Sequence, residues 1–175
     1  MSSIIKVDTI QLADGSTPSV TDLGLSALTS SDMPTGSVIQ VVSATYSTLV
    51  SSTSTSYIDT GLTANITPSS TSNKILVIVS QTFGIKRNDP YHVGLLAITR
   101  NTTVINEVHW DNEYTASLNY KLASPSSITT LDSPSSTSSV TYKTQIRCYH
   151  GSNSEVVYAN NRGAEATITL MEIAG

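Results

Sequence analysis

The segment Lys74-Ile75-Leu76-Val77-Ile78-Val79-Ser80-Gln81 sets five apolar residues in succession, four of them β-branched. A Ser/Thr/Asn-rich approach precedes it and Phe83-Gly84 follows. It is apolar on both faces and too short for a core helix, so it reads as a strand in the middle of a packed sheet. No other stretch has helical spacing strong enough to compete.

The chain from Ser37 onward continues in the same manner. Val38 to Val42 starts a strand that fades near Tyr46, and Ser51 to Ser56 reads as a low-complexity loop. Tyr57 to Gly61 and Leu62 to Thr67 alternate apolar and polar residues up to Pro68. After the central strand over 74–82 comes a turn at Asn88-Asp89-Pro90. Val93 to Arg100 and Thr103 to Glu107 then form a pair joined near Asn101-Thr102. Residues 108–120 carry no clear pattern. Ser127 to Leu131, Val140 to Tyr149, Glu155 to Ala159 and Ala164 to Ile173 complete the set. These segments predict an all-β, jelly-roll-like β-sandwich of about eight to ten strands, with residues 37–175 as its head domain.

Residues 1–36 differ. Ile4 to Leu12 looks like a strand, but the small residues and breakers that follow leave too little to bury. We read this segment as an extended N-terminal arm that needs a partner surface, with Ile4, Ile5, Val7, Ile10 and Leu12 as its contact residues. A leader with no docking role is the alternative. The N-terminus lacks the continuous apolar core of a signal peptide, and no window is apolar enough for a membrane span. The expectation is a protein made in the cytoplasm without a secretory signal.

Composition narrows the chemistry. Charged residues are 13% of the chain, about half the usual share, while roughly three residues in ten are Ser or Thr. The nine basic residues are scattered and the net charge is −4, which argues against nucleic acid as a partner. The single cysteine, Cys148, excludes an internal disulfide and a thiolate zinc site. His92, His109 and His150 have no partner at metal-ligand spacing, so no metal and no cofactor is expected. There is no G-x-S-x-G elbow and no phosphate loop. A glycan-degrading enzyme would need paired carboxylates, for which Glu107, Asp111 and Glu113, beside His109, form the only aromatic-acidic patch, with Glu107 and Glu113 as the pair to test. The same patch contains Trp110 and Tyr114, which would form a ligand loop with Trp110 as a stacking platform. The alternative has Trp110 packed inward or into an interface.

The last strand bears on assembly. Ala166, Ile168 and Leu170 fall on one face, and Met171 and Ile173 on the other. A two-layer sandwich covers only one face, so Met171 and Ile173 are expected at a subunit interface, with a covering loop of the same chain as the alternative.

Several phrases together carry a resemblance: Lys6-Val7-Asp8-Thr9-Ile10-Gln11, Tyr57-Ile58-Asp59-Thr60-Gly61-Leu62, Lys74-Ile75-Leu76-Val77, Leu131-Asp132-Ser133-Pro134, Val140-Thr141-Tyr142-Lys143 and Ala166 through Ile173. As a set they resemble small tail-fibre-like and other appendage virion structural proteins of tailed phages, particularly of marine and cyanobacterial hosts. The resemblance spans nearly the whole chain and rests on strand-and-turn phrases, so it implies a class of protein and not a reaction. It implies a non-enzymatic homotrimer located in the virion. The arm would dock on another virion protein, and the far loops would meet host-surface glycan or protein. There is no repeating shaft, so the chain alone does not span from tail to host. A capsid decoration (cement) protein is the alternative.

Overall fold

The computed structural model describes Gly15, Thr29 and residues 32–87, 93–111, 120–150 and 155–175. Ile4, Ile5, Val7, Ile10 and Leu12, and with them most of the expected arm, lie outside the described residues, as does Tyr114. Ten strands follow in order: β1 (Val38–Tyr46), β2 (Val50–Ser52), β3 (Ile58–Ile66), β4 (Lys74–Arg87), β5 (Val93–Arg100), β6 (Thr103–Asp111), β7 (Tyr120–Asp132), β8 (Val140–Cys148), β9 (Val156–Ala159) and β10 (Ala166–Ile173). A 3-10 turn at Asn161–Gly163 separates β9 from β10.

All pairings are antiparallel. One sheet holds six strands, with β7 on one side of β4 and both β9 and β10 on the other; β1 pairs β10 and β2 pairs β9. The second sheet has the order β3-β8-β5-β6. β9 pairs with residues 83–86 of β4 and β10 with residues 74–80, so they lie end to end along one edge. β1 and β2 repeat that arrangement one strand further out. Counting each broken pair as one long strand leaves eight. Their hairpin-like pairs are first with eighth, second with seventh, third with sixth and fourth with fifth. A single long antiparallel ribbon rolled into two facing sheets is a jelly roll. The sequence expectation of an all-β, jelly-roll-like sandwich therefore holds.

The break between β9 and β10 is held by one buried side chain. Asn160 adopts a left-handed backbone (φ 56°), which Asn tolerates better than most residues. Its amide nitrogen donates to the Thr48 carbonyl (3.0 Å), where β1 gives way to β2. Its side-chain oxygen accepts from Gln81 on β4 (3.0 Å). The two interruptions are thus tied to the centre of the sheet.

Alternation fills the core. Ile75, Val77, Val79, Phe83 and Ile85 of β4 face Leu62, Ala64 and Ile66 of β3, Leu96 and Ile98 of β5, and Tyr142 and Ile146 of β8. Several boundaries differ from the sequence expectation. Gly84 does not end β4, which runs to Arg87 because β7 pairs along it from Ile75 to Arg87. β7 itself is 13 residues long and includes Pro125, which an edge strand tolerates because no ladder donor is needed on its open side. β3 is one strand, not two: Gly61 (φ 90°) forms a bulge within it. β2 lies within the serine run expected to be a loop, and β6 continues through Trp110.

The register also gives the sandwich two distinct ends. β1 begins and β10 finishes at one end, together with the start of β4 and the end of β7. At the other end β4, β6 and β8 finish, and β5, β7 and β9 begin.

Candidate functional site

Three surfaces emerge, and each carries residues singled out from the sequence. The first is the outer face of the six-strand sheet. Val41 pairs Met171, Met171 pairs Leu76, and Leu76 pairs Leu131, so these four residues form one row across the sheet. Val41 is 56% exposed and Leu131 54%, large values for aliphatic side chains on a strand. Ile173 and Val38 extend the apolar patch toward the end where β1 begins. The next rows are Ser43–Thr169–Ile78–Thr129 and Thr45–Thr167–Ser80–Ser127. No charged residue stands in these three rows. Met171 and Ile173 lie on the face opposite Ala166, Ile168 and Leu170, and both are half-buried within the single chain.

The second surface is a cleft of about 360 Å³ between the edges β6 and β7. Phe83, Val108 and Trp110 supply its apolar lining, and His109, Ser124, Ser126 and Ser127 its polar lining. Trp110 stands on β6 rather than in a loop, and its ring lies 5.7 Å from Phe83 at 51°. One side of the indole is therefore used for packing on the core, while the cleft offers hydroxyl groups to a ring-sized polar ligand.

The third surface was not legible as a unit in the sequence, although Glu107 and His109 were noticed, because its members come from β6, from the end of β8 with Tyr149 just after it, and from Tyr57 just before β3. On the outer face of the four-strand sheet, Arg147 of β8 and His109 of β6 stand on either side of Leu95. The Arg147 guanidinium sits 5.1 Å from the Tyr57 ring centre and 5.7 Å from that of Tyr149. The Tyr57 hydroxyl donates to Glu107, whose other oxygen lies 3.1 Å from His109 Nε2. The Tyr149 ring packs edge-on against His150, with centres 4.7 Å apart. The hydrogen bonds from Tyr57 and His109 hold the Glu107 carboxyl below its ordinary range, and the Arg147 charge adds to the effect. Burial pushes the Tyr57 hydroxyl up, and its bond to Glu107 pushes it further. Only Glu107 of the two glutamates expected to pair lies among the described residues.

Cys148 is buried on β8, and burial, then the Glu155 charge, pushes its thiol up to about 11. Among the described residues no group of three or more His, Cys, Asp and Glu is arranged to hold a metal ion. No helix among them is long and apolar enough to cross a membrane.

No protein-family model matches the chain, and no curated protein matches it. Solved structures give weak likenesses. One is the insecticidal delta-endotoxin Cry8Ea1 of Bacillus thuringiensis, at 18% identity and a TM-score of 0.38 over 71% of this chain. Another is the VP2 subviral particle of infectious bursal disease virus, at 12% identity and a TM-score of 0.32 over 78% of this chain. The chain spans 19% of the toxin and 37% of VP2.

Proposed function

We propose that this chain is a non-enzymatic virion structural protein, a homotrimeric appendage of the tail-fibre type. The reading rests on the sequence resemblance and on one structural observation, the uncharged apolar row Val41–Met171–Leu76–Leu131. An exposed apolar patch on a flat sheet face marks an interaction surface. A face with no charge in those rows can meet a copy of itself without like-charge repulsion, even in a chain of net charge −4. The arm, residues 1–36, would reach the virion from the end where β1 begins. The opposite end, where β4, β6 and β8 finish, would face the host.

Light scattering on the purified chain tests the assembly. The wild type should weigh three chains, and the double variant Val41→Asp with Leu131→Asp should weigh one while keeping its β circular dichroism. A wild type that stays single at tens of micromolar, a range in which specific oligomers persist, would sink the reading. Removing residues 1–34 should leave the oligomer intact and abolish its attachment to particles.

A further inference from the structure

Arg147 is held differently from Arg100 and Lys143. Arg100 has the Asp132 carboxylate at 2.8 Å, and Lys143 has Asp59 at 2.8 Å. Among the described residues no carboxylate lies within ion-pair distance of Arg147, and its Nε is buried without a hydrogen-bond partner. Two tyrosine rings flank the guanidinium, the Tyr57 hydroxyl interacts with it, and the Glu107 charge acts on it from beyond ion-pair distance; the cation–π contacts fix a planar fork. A fork held in this way matches a carboxylate, which it can bind through two parallel hydrogen bonds.

The neighbours narrow the class of ligand. Tyr149 is 47% exposed and presents a ring to the apolar C–H face of a sugar. The Glu107 and His109 side chains are 36% and 43% exposed. Glu107 accepts hydrogen bonds from hydroxyl groups and is already oriented by Tyr57. A bare phosphate would gain nothing from the Tyr149 ring face. A ring that carries both hydroxyls and a carboxylate uses every one of these groups. The cluster also lies toward the end where β6 and β8 finish, away from the start of β1.

We infer that the surface formed by Tyr57, Glu107, His109, Arg147 and Tyr149 binds a carboxylate-bearing saccharide. The inference names a ligand class for the host-facing end of the proposed appendage. Binding itself needs only the folded chain, so it stands or falls separately from assembly.

Titration calorimetry on the full chain tests it. The probes are a tetrasaccharide alternating glucuronate with N-acetylglucosamine, neutral chitotetraose, sodium acetate and a tetra-glutamate peptide. The acidic saccharide should bind, and the other three should bind at least about tenfold more weakly. Arg147→Gln should weaken the acidic saccharide about tenfold, the loss expected for one bidentate charged contact. Tyr149→Ala should weaken it several-fold, and Arg147→Lys should recover only part of the loss because it keeps charge but not the fork. Leu131→Asp, on the other sheet, should leave binding unchanged. Circular dichroism verifies that each variant is folded. Equal affinity for chitotetraose or tetra-glutamate would overturn the ligand class. A folded Arg147→Gln that binds like wild type, or no heat with the acidic saccharide, would overturn the site. A single-chain mass with intact binding would overturn only the assembly.

Discussion

Glu172 is the carboxylate on which the end of the sandwich near the start of β1 depends. It is fully buried on the inner face of β10, in line with Ala166, Ile168 and Leu170. It accepts from the Ser69 amide (2.6 Å) and hydroxyl (2.8 Å), from Asn73 Nδ2 (2.6 Å) and from Gln40 Nε2 (2.5 Å). The turn between β3 and β4 is thereby pinned to both β10 and β1. Burial pushes its pKa up, but the bonds from Asn73, Gln40 and Ser69 outweigh burial and hold it below 4.5. Glu172→Gln keeps the shape and turns an amide toward donors that need an acceptor. Hydrogen bonds to a charged group contribute about 1.5–3 kcal/mol each. Ser69 and Gln40 can partly turn to water, so the net loss should be about 3 kcal/mol. For a chain of this size that lowers Tm by about 6–12 °C.

The pH dependence has a definite sign. A depressed folded pKa makes the contribution complete above the unfolded value and removes it as pH falls through the folded value. The gap between wild type and Glu172→Gln should therefore be constant from neutral pH down to the 4.5 of the free carboxyl and should shrink below it. Thermal unfolding followed by circular dichroism, at equal chain concentrations, reads both effects. A variant within about 0.5 kcal/mol of wild type, or a gap that persists undiminished in acid, would refute the reasoning.

Two further outcomes follow from single positions. Gly61→Ala places a Cβ at φ 90° and drives it into the Tyr46 ring, so chemical denaturation should show a loss of about 2–4 kcal/mol. Tyr46→Leu in that background should recover part of the loss as a coupling energy. Cys148, with its thiol pushed up to about 11, should react with iodoacetamide at pH 8 roughly a hundred times more slowly than an exposed thiol. Denaturant should abolish the difference.

The fold was legible wherever the strand pattern was regular. The run Ile75 to Val79 marked the central strand correctly, because a strand covered by a facing sheet and by side neighbours reads as continuous apolar sequence. The pattern failed where a side chain's role depends on register. Gly84 looked like an exit, yet a glycine inside a strand is tolerated where its neighbour supplies the pairing. Ser51 and Ser52 looked like loop, yet β9 gives them ladder bonds. The alternation of β10 correctly separated Met171 and Ile173 from the core. It did not show Val41 and Leu131 beside them, since that row exists only across four strands. Trp110 was noticed for its chemistry, but Tyr57 and Arg147 were not. Their partnership spans 90 positions of sequence, and no local spacing reports it.

The order in which this ribbon closes has a consequence for how the molecule is made. The outermost pair joins the earliest strand to the last, and Gln40 reaches Glu172 across 132 positions. Loop closure of that length is slow, and β1 has no ladder partner until β10 has left the ribosome. The six-strand sheet therefore stays open along residues 74–80 of β4 until the eight residues of β10 arrive. Chains that stall before that point offer a bare strand edge to any neighbour.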